Sequence, residues 1–335
     1  MLDVQGKKIL YVGSKFFGYE LEITNALRQA GAEVDFVSDS PTTSKLMRGV
    51  MRVRRELVLP LADRYVFKMV EAFARSHYDV VFVVTGEVLT PRTLAWLRAR
   101  YPAAQFVLYL WDALRNKRLL EHNLPFFDRC LSFDATDAKR YGMVFRPLFY
   151  SPGFAQNTAH ATQYHLSFIG TAHSDRARIV QNVEAALPPN TKFFKYLYLQ
   201  APWVYWVHKL GNAAYKGVAQ DAFTFEPMPK AQVQKVFFSS LAVLDIEHPG
   251  QTGLTMRTCE TIGAQKKLIT TNAMVKATNF YRPENILVID RHSAPQIPDA
   301  FFSTPYQALP QALYETYSLQ GWLNDVLGSP KVQVG

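Results

Sequence analysis

Short, continuous apolar runs recur along the chain, and segments with helical periodicity separate them. In the first half the runs cover residues 8–12, 80–84 and 106–110, and helices are predicted over residues 19–30 and 91–100. Strands that are apolar on both faces are buried on both sides, as in parallel sheets covered by crossover helices. The pattern therefore predicts an α/β fold built on parallel sheets.

The same pattern begins again after a segment without apolar periodicity. Residues 147–163 are rich in Pro, Gly, Ala and small polar residues, which is typical of a linker. A strand over residues 165–169 and a helix over residues 175–187 follow. A chain of 335 residues suits two domains of ordinary size. The predicted boundaries are residues 1–150 for the first Rossmann-like domain, 151–163 for the linker and 164–335 for the second Rossmann-like domain.

Two other segments are less regular. Residues 43–76 are mostly helical in pattern, with a break or kink expected at Pro60. Aromatic side chains cluster at residues 203–210 near two lysines, which suits either a membrane interface or a core or inter-domain helix. The basic content there is modest, and this favours the core or inter-domain helix.

The charge of the chain limits its partners. With 37 basic and 28 acidic residues the formal net charge is +9, which favours nucleic acid, anionic lipid or phosphorylated small molecules. Basic residues are scattered apart from residues 48–55, and no helix-turn-helix, zinc-finger or RNP-like pattern occurs, so no nucleic-acid partner is expected. No run reaches the roughly 18 apolar residues that span a bilayer, and the N-terminal residues lack a signal-peptide core. We expect a cytoplasmic protein and leave open a peripheral association with the inner membrane.

Residues 244–272 carry the most informative motif. An apolar run ends at a glycine-bearing turn, a helix is predicted to begin at Thr252 and to end at Gly263, and another strand follows. Thr255 and Arg257 lie in the first turns of this helix. A helix N-terminus at the carboxyl end of a strand is a suitable site for a pyrophosphate. The motif therefore predicts a diphosphate-bearing ligand.

The segment Gly-Leu-Thr-Met-Arg-Thr-Cys-Glu-Thr-Ile-Gly at residues 253–263 resembles the donor-binding element of GT-B glycosyltransferases. The wider segment over residues 244–258 resembles bacterial enzymes that build capsule, exopolysaccharide and lipopolysaccharide. Residues 165–176 are similar to the opening of the second domain in this group, and residues 132–137 and 146–149 are similar to the end of its first. The resemblance implies two Rossmann-like domains facing across a cleft, with a nucleotide-sugar donor on the second, a glycan or lipid-linked acceptor on the first, and a final helix returning to the first.

The resemblance also implies roles for particular residues. Thr252, Gly253, Thr255 and Arg257 would meet the pyrophosphate, and Glu260 would face the ribose or the sugar, unless it is only an exposed helix carboxylate. Many retaining members have two glutamates separated by seven residues, and here the first position is a threonine. An inverting and a retaining mechanism both stay open.

Five more donor-side residues are predicted. Arg176 could grip a phosphate through two hydrogen bonds, or be an ordinary arginine of a first helical turn. His248 is a candidate hydrogen-bond donor to phosphate or sugar, whereas a solvated loop position is favoured for His173. The remaining candidates are Gly170, Thr171 and Gln251.

An inverting transfer needs a base that takes the proton of the acceptor hydroxyl. Reactive groups of doubly wound sheets lie at the carboxyl ends of strands, which selects Glu87, Asp112 and Asp134. Asp134 could instead cap a short helix, so Glu87 and Asp112 are the preferred candidates. Gly13 and Ser14 form the corresponding first-domain loop, which lacks the spacing of a nicotinamide site and is interpreted as an acceptor-side or phosphate-side loop.

No metal or cofactor is predicted. No Asp-x-Asp pair and no His/Cys pattern with metal-ligand spacing occurs in the sequence. We expect a metal-independent glycosyltransferase whose nucleotide-sugar is a substrate. One alternative is a nucleotide-sugar epimerase of the same fold, which would convert the donor without an acceptor. Another is a non-catalytic GT-B module of an assembly complex, which would bind nucleotide without turnover.

Overall fold

The computed structural model describes residues 2–39, 59–87, 89–116, 118–155 and 161–328. The chain divides into two compact units, one formed by Met1–Pro147 with Leu319–Gly335 and the other by Leu148–Ser318. Each unit contains a parallel sheet with helices, which confirms the predicted α/β class. Among the described residues no helix has the length and apolar character needed to cross a membrane.

The described part of the first unit has a six-stranded parallel sheet in the order β2-β1-β3-β4-β5-β6. Its strands are β1 (Lys8–Gly13), β2 (Glu33–Ser38), β3 (Val80–Val84), β4 (Gln105–Leu110), β5 (Arg129–Ser132) and β6 (Val144–Phe145). Its helices are α1 (Tyr19–Gln29), α2 (Leu59–Ala72), α3 (Pro91–Arg100) and α4 (Ala135–Tyr141).

Local sequence explains several of these bounds. Every residue of β3 is buried, as its apolar run predicts. Thr90 caps α3 by accepting a hydrogen bond from the backbone N–H of Thr93, and Pro91 occupies the first helical position, where it loses no hydrogen bond. Helix α2 begins at Leu59, so Pro60 lies in its first turn. The earlier part of the predicted 43–76 helix, with the basic cluster at 48–55, falls outside the described residues.

The second unit also has a six-stranded parallel sheet in its described part, in the order β12-β11-β10-β7-β8-β9. Its strands are β7 (Tyr164–Thr171), β8 (Phe193–Tyr198), β9 (Phe223–Thr224), β10 (Ser240–Asp245), β11 (Lys267–Thr270) and β12 (Ile286–Val288). Its helices are α5 (Arg176–Ala185), α6 (Pro202–Gly211), α7 (Lys230–Phe238), α8 (Met256–Gly263), α9 (Asp299–Ser303) and α10 (Gln311–Thr316). Counted from the unit's own first strand, this is the 3-2-1-4-5-6 order of dinucleotide-binding domains.

A last helix, α11 (Leu319–Leu327), belongs to the first unit. The ring of Trp322 is fully buried and lies 4.7 Å from the ring of Tyr109 and 6.0 Å from that of Phe82. The guanidinium of Arg129 donates to the backbone carbonyls of Asp325 and Gly328. The chain therefore passes between the units twice.

Helix α6 corrects one prediction. Tyr205 is buried, but Trp203, Trp206 and Leu210 are exposed, so α6 packs on one face only, and the core half of the favoured core or inter-domain interpretation is wrong. A high aromatic content does not by itself predict a buried helix, because the side chains are buried only where other elements cover them.

Candidate functional site

The strand order of the second unit indicates where a ligand crevice is expected. Strands β7 and β10 are neighbours. The chain continues from β7 to β8 on one side of this pair and from β10 to β11 on the other. In open parallel sheets ligands bind outside the carboxyl ends of the strands at such a switch point. Here the edge is formed by the residues after Thr171 and after Asp245.

Arg176 joins the two segments of this edge. Its Nε donates to the carbonyl of Ile246 at 2.7 Å, and its Nη1 donates to the carbonyl of Thr171 at 3.1 Å. A side chain at Gly170 would approach Nη1 to 3.3 Å, so the glycine keeps space for the guanidinium. Burial lowers the pKa of Arg176 to about 10, with opposing contributions from Asp245 and other charges, and this value still leaves the side chain cationic at neutral pH.

The turn between β10 and α8 is organised around a buried carboxylate. Asp245 accepts hydrogen bonds from the hydroxyls of Thr255 at 2.6 Å and Thr258 at 2.7 Å. Burial raises the pKa of Asp245, although these hydroxyls oppose the effect. Thr255 is also the N-cap and accepts from the backbone N–H of Thr258. Helix α8 therefore begins at Met256, and the predicted start at residues 252–253 is wrong, because the cap is set by a partner on the preceding strand.

Residues 248–254 form a loop before this helix. The side-chain amide of Asn272 donates to the carbonyls of Thr252 and Gly253 at 3.3 and 3.2 Å. The backbone N–H of Gln251 donates to the carbonyl of His248, closing a turn. These contacts fix the backbone of the candidate residues Gln251, Thr252 and Gly253 in front of α8.

Two histidines lie side by side at this edge. The rings of His173 and His248 are 5.4 Å apart, so the structure brings together residues from both predicted motifs. His173 is half-buried, which differs from the solvated position favoured for it from the sequence. Burial, with the positive charge of Arg176, lowers its pKa to about 3. His173 is therefore a neutral hydrogen-bonding group at physiological pH.

Arg257 and Glu260 form an ion pair within α8. Nη1 of Arg257 lies 2.8 Å from Oε2 of Glu260, and its guanidinium lies 4.9 Å from the centre of the Phe237 ring. Glu260 is 3% exposed, so the alternative of an exposed helix carboxylate is wrong. The pair holds Arg257 at the first turn of α8.

A third arginine was missed by the sequence analysis. The buried Arg291 contacts Asp175 and Glu247 with N–O distances of 2.6 Å, and it also donates to the carbonyl of Glu247. Burial acts to lower the pKa of Arg291, but Glu247 and Asp175 outweigh it and raise the pKa above its usual value. The partners are 116 and 44 residues away in the sequence, so no local motif could have revealed this network.

A cavity of about 880 Å³ opens at the same edge of the sheet. This volume is within the usual range of small-molecule sites. Its lining combines cationic, acidic and polar groups with the strand ends of β11 and β12, and includes Asp175, Asn212, Thr271, Lys276, Asp290 and Arg291.

The first unit has its own switch point between β1 and β3. The hydroxyl of Ser14 donates to Asp39 at 2.8 Å, and the backbone N–H of Glu87 contacts the same oxygen at 3.3 Å. Gly86, with a φ of 66°, forms the left-handed turn that leads to Glu87. A side chain at Gly13 would meet the ring of Tyr11 at 3.0 Å. The predicted residues Ser14 and Glu87 therefore meet at Asp39, a carboxylate that the sequence analysis did not select.

Asp112 follows the neighbouring strand β4. Its carboxylate accepts from the backbone N–H of Ala113 at 2.9 Å. The adjacent Trp111 packs 6.3 Å from the rings of Phe16 and Tyr19. Asp134, by contrast, caps α4 by accepting from the N–H groups of Thr136 and Asp137, which confirms its structural interpretation.

No family model and no curated protein matches the sequence. Solved structures do match, over nearly the whole chain. A glycosyltransferase from Rickettsia africae is 12% identical with a TM-score of 0.59 and 96% coverage of both chains. HepE from Anabaena, solved with UDP and glucose, is 11% identical with a TM-score of 0.53, and the match covers 95% of this chain and 97% of that chain.

A UDP-glucosyltransferase from Polygonum tinctorium is 10% identical with a TM-score of 0.50, and the match covers 97% of this chain and 94% of that chain. Identities this low show the fold alone. The chain has the GT-B fold of two Rossmann-like domains, as the sequence resemblance predicted.

Proposed function

We propose that this protein is a glycosyltransferase that binds a nucleotide-sugar at the carboxyl edge of the second unit. The observation that carries the proposal is the arrangement of Arg176, Arg257 and the N-terminus of α8 at the switch point of a dinucleotide-type sheet. Similar folds occur in a glycosyltransferase from Rickettsia africae and in HepE, which was solved with UDP and with UDP-glucose. The HepE structures support a nucleoside diphosphate as the ligand.

The chemistry of the edge suits a departing diphosphate. The first backbone N–H groups of a helix point along its axis and favour negative charge. Arg257 lies in this first turn of α8, and Arg176 supplies a second cation beside it. Such fixed donors stabilise the charge that develops on the leaving group.

We propose that these groups neutralise the leaving group without a metal ion. Turnover should then persist when excess EDTA is added to the assay. A complete loss of turnover that manganese or magnesium restores would contradict this part of the proposal.

For the proton of the acceptor we propose Glu87 or Asp112 as the base of an inverting transfer. Both follow strands of the first sheet, and Glu87 contacts Asp39 through its backbone N–H. The base would take the hydroxyl proton as the acceptor oxygen attacks the anomeric carbon and the nucleoside diphosphate leaves. The anomeric configuration of the product tests this directly, because a retained configuration would contradict an inverting transfer.

The acceptor is proposed to be a glycan or a lipid-linked glycan. Support comes from the resemblance of residues 253–263 and 165–176 to capsule, exopolysaccharide and lipopolysaccharide enzymes. A transfer assay with a radiolabelled donor and bacterial lipid and polysaccharide fractions would identify which fraction becomes labelled.

The first experiment is a thermal-shift and calorimetric screen of nucleoside diphosphates and their sugars, beginning with UDP and UDP-glucose. A ligand at about 100 times its dissociation constant adds roughly 2.7 kcal/mol to the stability of the folded state. We expect a shift with at least one nucleoside diphosphate and its sugar. If no nucleotide raises the melting temperature, the proposed donor site is wrong.

The second experiment follows the fate of the donor. Transfer requires that the sugar moves to an acceptor and that free nucleoside diphosphate accumulates in equal amount. Conversion of the donor alone into an epimer, or tight nucleotide binding without turnover on any fraction, would contradict the proposed transfer.

A further inference from the structure

Four large apolar side chains are exposed on one face of α6. Trp203 is 67% exposed, Trp206 54%, Val207 58% and Leu210 89%. Their spacing of three, four and seven residues places them on the same side of the helix. The outer face of α6 is therefore an apolar strip in contact with water.

The inner face of the same helix is firmly attached to the core of the second unit. Tyr205 is 1% exposed, its hydroxyl donates to the carbonyl of Val218 at 3.0 Å, and its ring lies 5.4 Å from that of Phe223. The ring of His208 stacks on Tyr215 at 5.0 Å. These contacts fix the orientation of α6, so the exposure of its outer face is a property of the folded unit.

The segment of sequence that contains α6 carries basic but no acidic residues. No Asp or Glu occurs in the sequence between Glu184 and Asp221. Four lysines lie in this interval, at positions Lys192, Lys195, Lys209 and Lys216, and Lys195 is paired with Glu184. A basic segment of this kind is complementary to an anionic partner.

Two of these lysines lie close to the apolar strip in sequence. The ammonium of Lys209 donates to the hydroxyl of Tyr205 at 2.7 Å and lies 5.7 Å from the ring centre of Trp206. Lys216 is exposed just beyond the end of α6. Lysines with apolar stems beside tryptophan are well suited to the boundary between lipid headgroups and acyl chains.

We propose that α6 docks the protein onto an anionic lipid bilayer, with Trp203, Trp206, Val207 and Leu210 inserted into the interface. The helix has ten residues and is about 15 Å long, against roughly 30 Å for the hydrocarbon core, so it lies in the plane of the surface. The strip offers a few hundred Å² of apolar area, which is less than the roughly 800 Å² per partner of a stable protein interface. Docking does not depend on the proposed transfer reaction.

The experiment is co-sedimentation of the full chain with vesicles of two compositions, phosphatidylcholine alone and phosphatidylcholine mixed with phosphatidylglycerol. We expect binding to the anionic vesicles, with a blue shift of tryptophan emission, and weaker binding to the neutral vesicles. Added salt should lower the binding, because screening weakens the contribution of the lysines.

Variants identify the surface that binds. Trp206→Gln combined with Leu210→Gln should lower the partition coefficient on anionic vesicles by at least about tenfold, since two inserted side chains are lost. Lys216→Gln should lower it by about fivefold, the usual effect of one basic residue near such a surface. The matched control is Leu61→Gln on α2, an exposed apolar side chain elsewhere, which should bind as the wild type does.

Equal melting temperatures of these variants would show that each is folded. The proposal is overturned if the wild type stays in the supernatant with anionic vesicles, or if the Trp206/Leu210 double variant sediments as the wild type does. It is also overturned if ultracentrifugation without lipid shows a dimer that the double variant abolishes, because a second copy would then cover the face. None of these outcomes depends on nucleotide binding or turnover, so docking and the proposed function are tested separately.

Discussion

The two units have the same kind of parallel sheet but different charged groups at the carboxyl ends of their strands: carboxylates in the first unit, and arginines with carboxylate partners in the second. In the first unit, Asp39, Glu87 and Asp112 follow β2, β3 and β4. In the second unit, Arg176, Arg257 and Arg291 gather around the ends of β7, β10 and β12. The shared architecture brings the side chains that follow the strands to one edge of each sheet. The identity of those side chains determines the charge at that edge.

The cations of the second unit also differ among themselves. Arg291 contacts two carboxylates in the protein, whereas Arg176 is held mainly by backbone carbonyls. Hydrogen bonds that a guanidinium donates to carbonyls position it without cancelling its charge, whereas two carboxylates do cancel that charge. We infer that Arg291 is structural, that Arg176 keeps its positive charge for a ligand, and that Arg257, which has one carboxylate partner, keeps part of its charge.

The largest expected effect tests Glu87 and Asp112, the carboxylates that follow β3 and β4 of the first unit. Replacing the true base by its amide, in Glu87→Gln or Asp112→Asn, should lower kcat by about two to four powers of ten with little change in the affinity for UDP. Turnover is measured as release of nucleoside diphosphate. Asp134→Asn is the matched control, because Asp134 caps α4 and should affect stability but not kcat. Wild-type turnover in both amide variants would show that neither Glu87 nor Asp112 takes the proton of the acceptor.

The next effect tests whether Arg291 is structural. Arg291→Met leaves Asp175 and Glu247 without their shared cation, and the second unit should lose about 3 to 5 kcal/mol of unfolding free energy in urea. Arg178→Met is the control, because that arginine contacts Asp175 from a more exposed position and should cost at most about 1 kcal/mol. Neutralising both carboxylates together with Arg291 should restore much of the stability. A wild-type urea midpoint for Arg291→Met would contradict the structural role.

A smaller effect concerns Arg257, the cation that is proposed to contact the nucleotide-sugar. Arg257→Gln combined with Glu260→Gln removes the charge of Arg257 without leaving a buried carboxylate behind. The Kd for UDP should rise about 10- to 150-fold, corresponding to the loss of a charge-assisted contact of roughly 1.5 to 3 kcal/mol. Calorimetry measures the change.

Two single variants serve as references for this test. Glu260→Gln retains the charge of the arginine and should therefore change the Kd for UDP far less than the double variant does. Arg282→Ala alters an arginine before β12, at the opposite edge of the sheet, and should bind UDP as the wild type does. If the double variant and Arg282→Ala bind equally well, Arg257 lies outside the donor site.

The smallest expected effect is a pH dependence of stability that comes from His173 in the second unit. Because the pKa of His173 is lowered to about 3, the unfolded chain binds a proton below about pH 6.5 while the folded chain does not. The contribution of His173 to the free energy of unfolding is therefore fully present above pH 6.5 and is lost as the pH falls from there toward 3. Between pH 7.5 and 5.5 the melting temperature should fall less in His173→Gln than in the wild type.

The partial exposure of His173 limits the size of this effect. His122→Gln, at an exposed position of the first unit, is the control and should keep the wild-type pH dependence. Parallel melting curves for the wild type and His173→Gln would contradict the assignment.

The elements that the sequence predicts well are those with a strong local pattern. The apolar run of β3 and the Thr90-Pro91 start of α3 each specify their structure within a few residues. The start of α8 was displaced because Thr252 and Thr255 are equally good caps locally. Only the contact of Thr255 with Asp245, ten residues earlier, decides between them.

The parts that could not be predicted depend on distant partners. Strand β8 was not predicted, although its sequence is rich in aromatic residues; only one of its six side chains is fully buried. The network of Arg291 joins loops after three different strands, and the carboxylate of Asp39 becomes part of a site only through its contacts with Ser14 and Glu87. Local periodicity carries no information about such contacts.

The return of α11 to the first unit has a consequence for synthesis of the chain on the ribosome. Residues 1–147 are made first, yet their sheet lacks Trp322 until residues 319–327 have left the exit tunnel. Residues 148–318 are continuous and can complete their core earlier. Translation adds roughly 5 to 20 residues per second, so residues 1–147 lack α11 for about ten seconds or more. During this time the apolar surface around Tyr109 is uncovered. Cotranslational chaperones should therefore engage the first unit for longer than the second, although the first unit is made earlier.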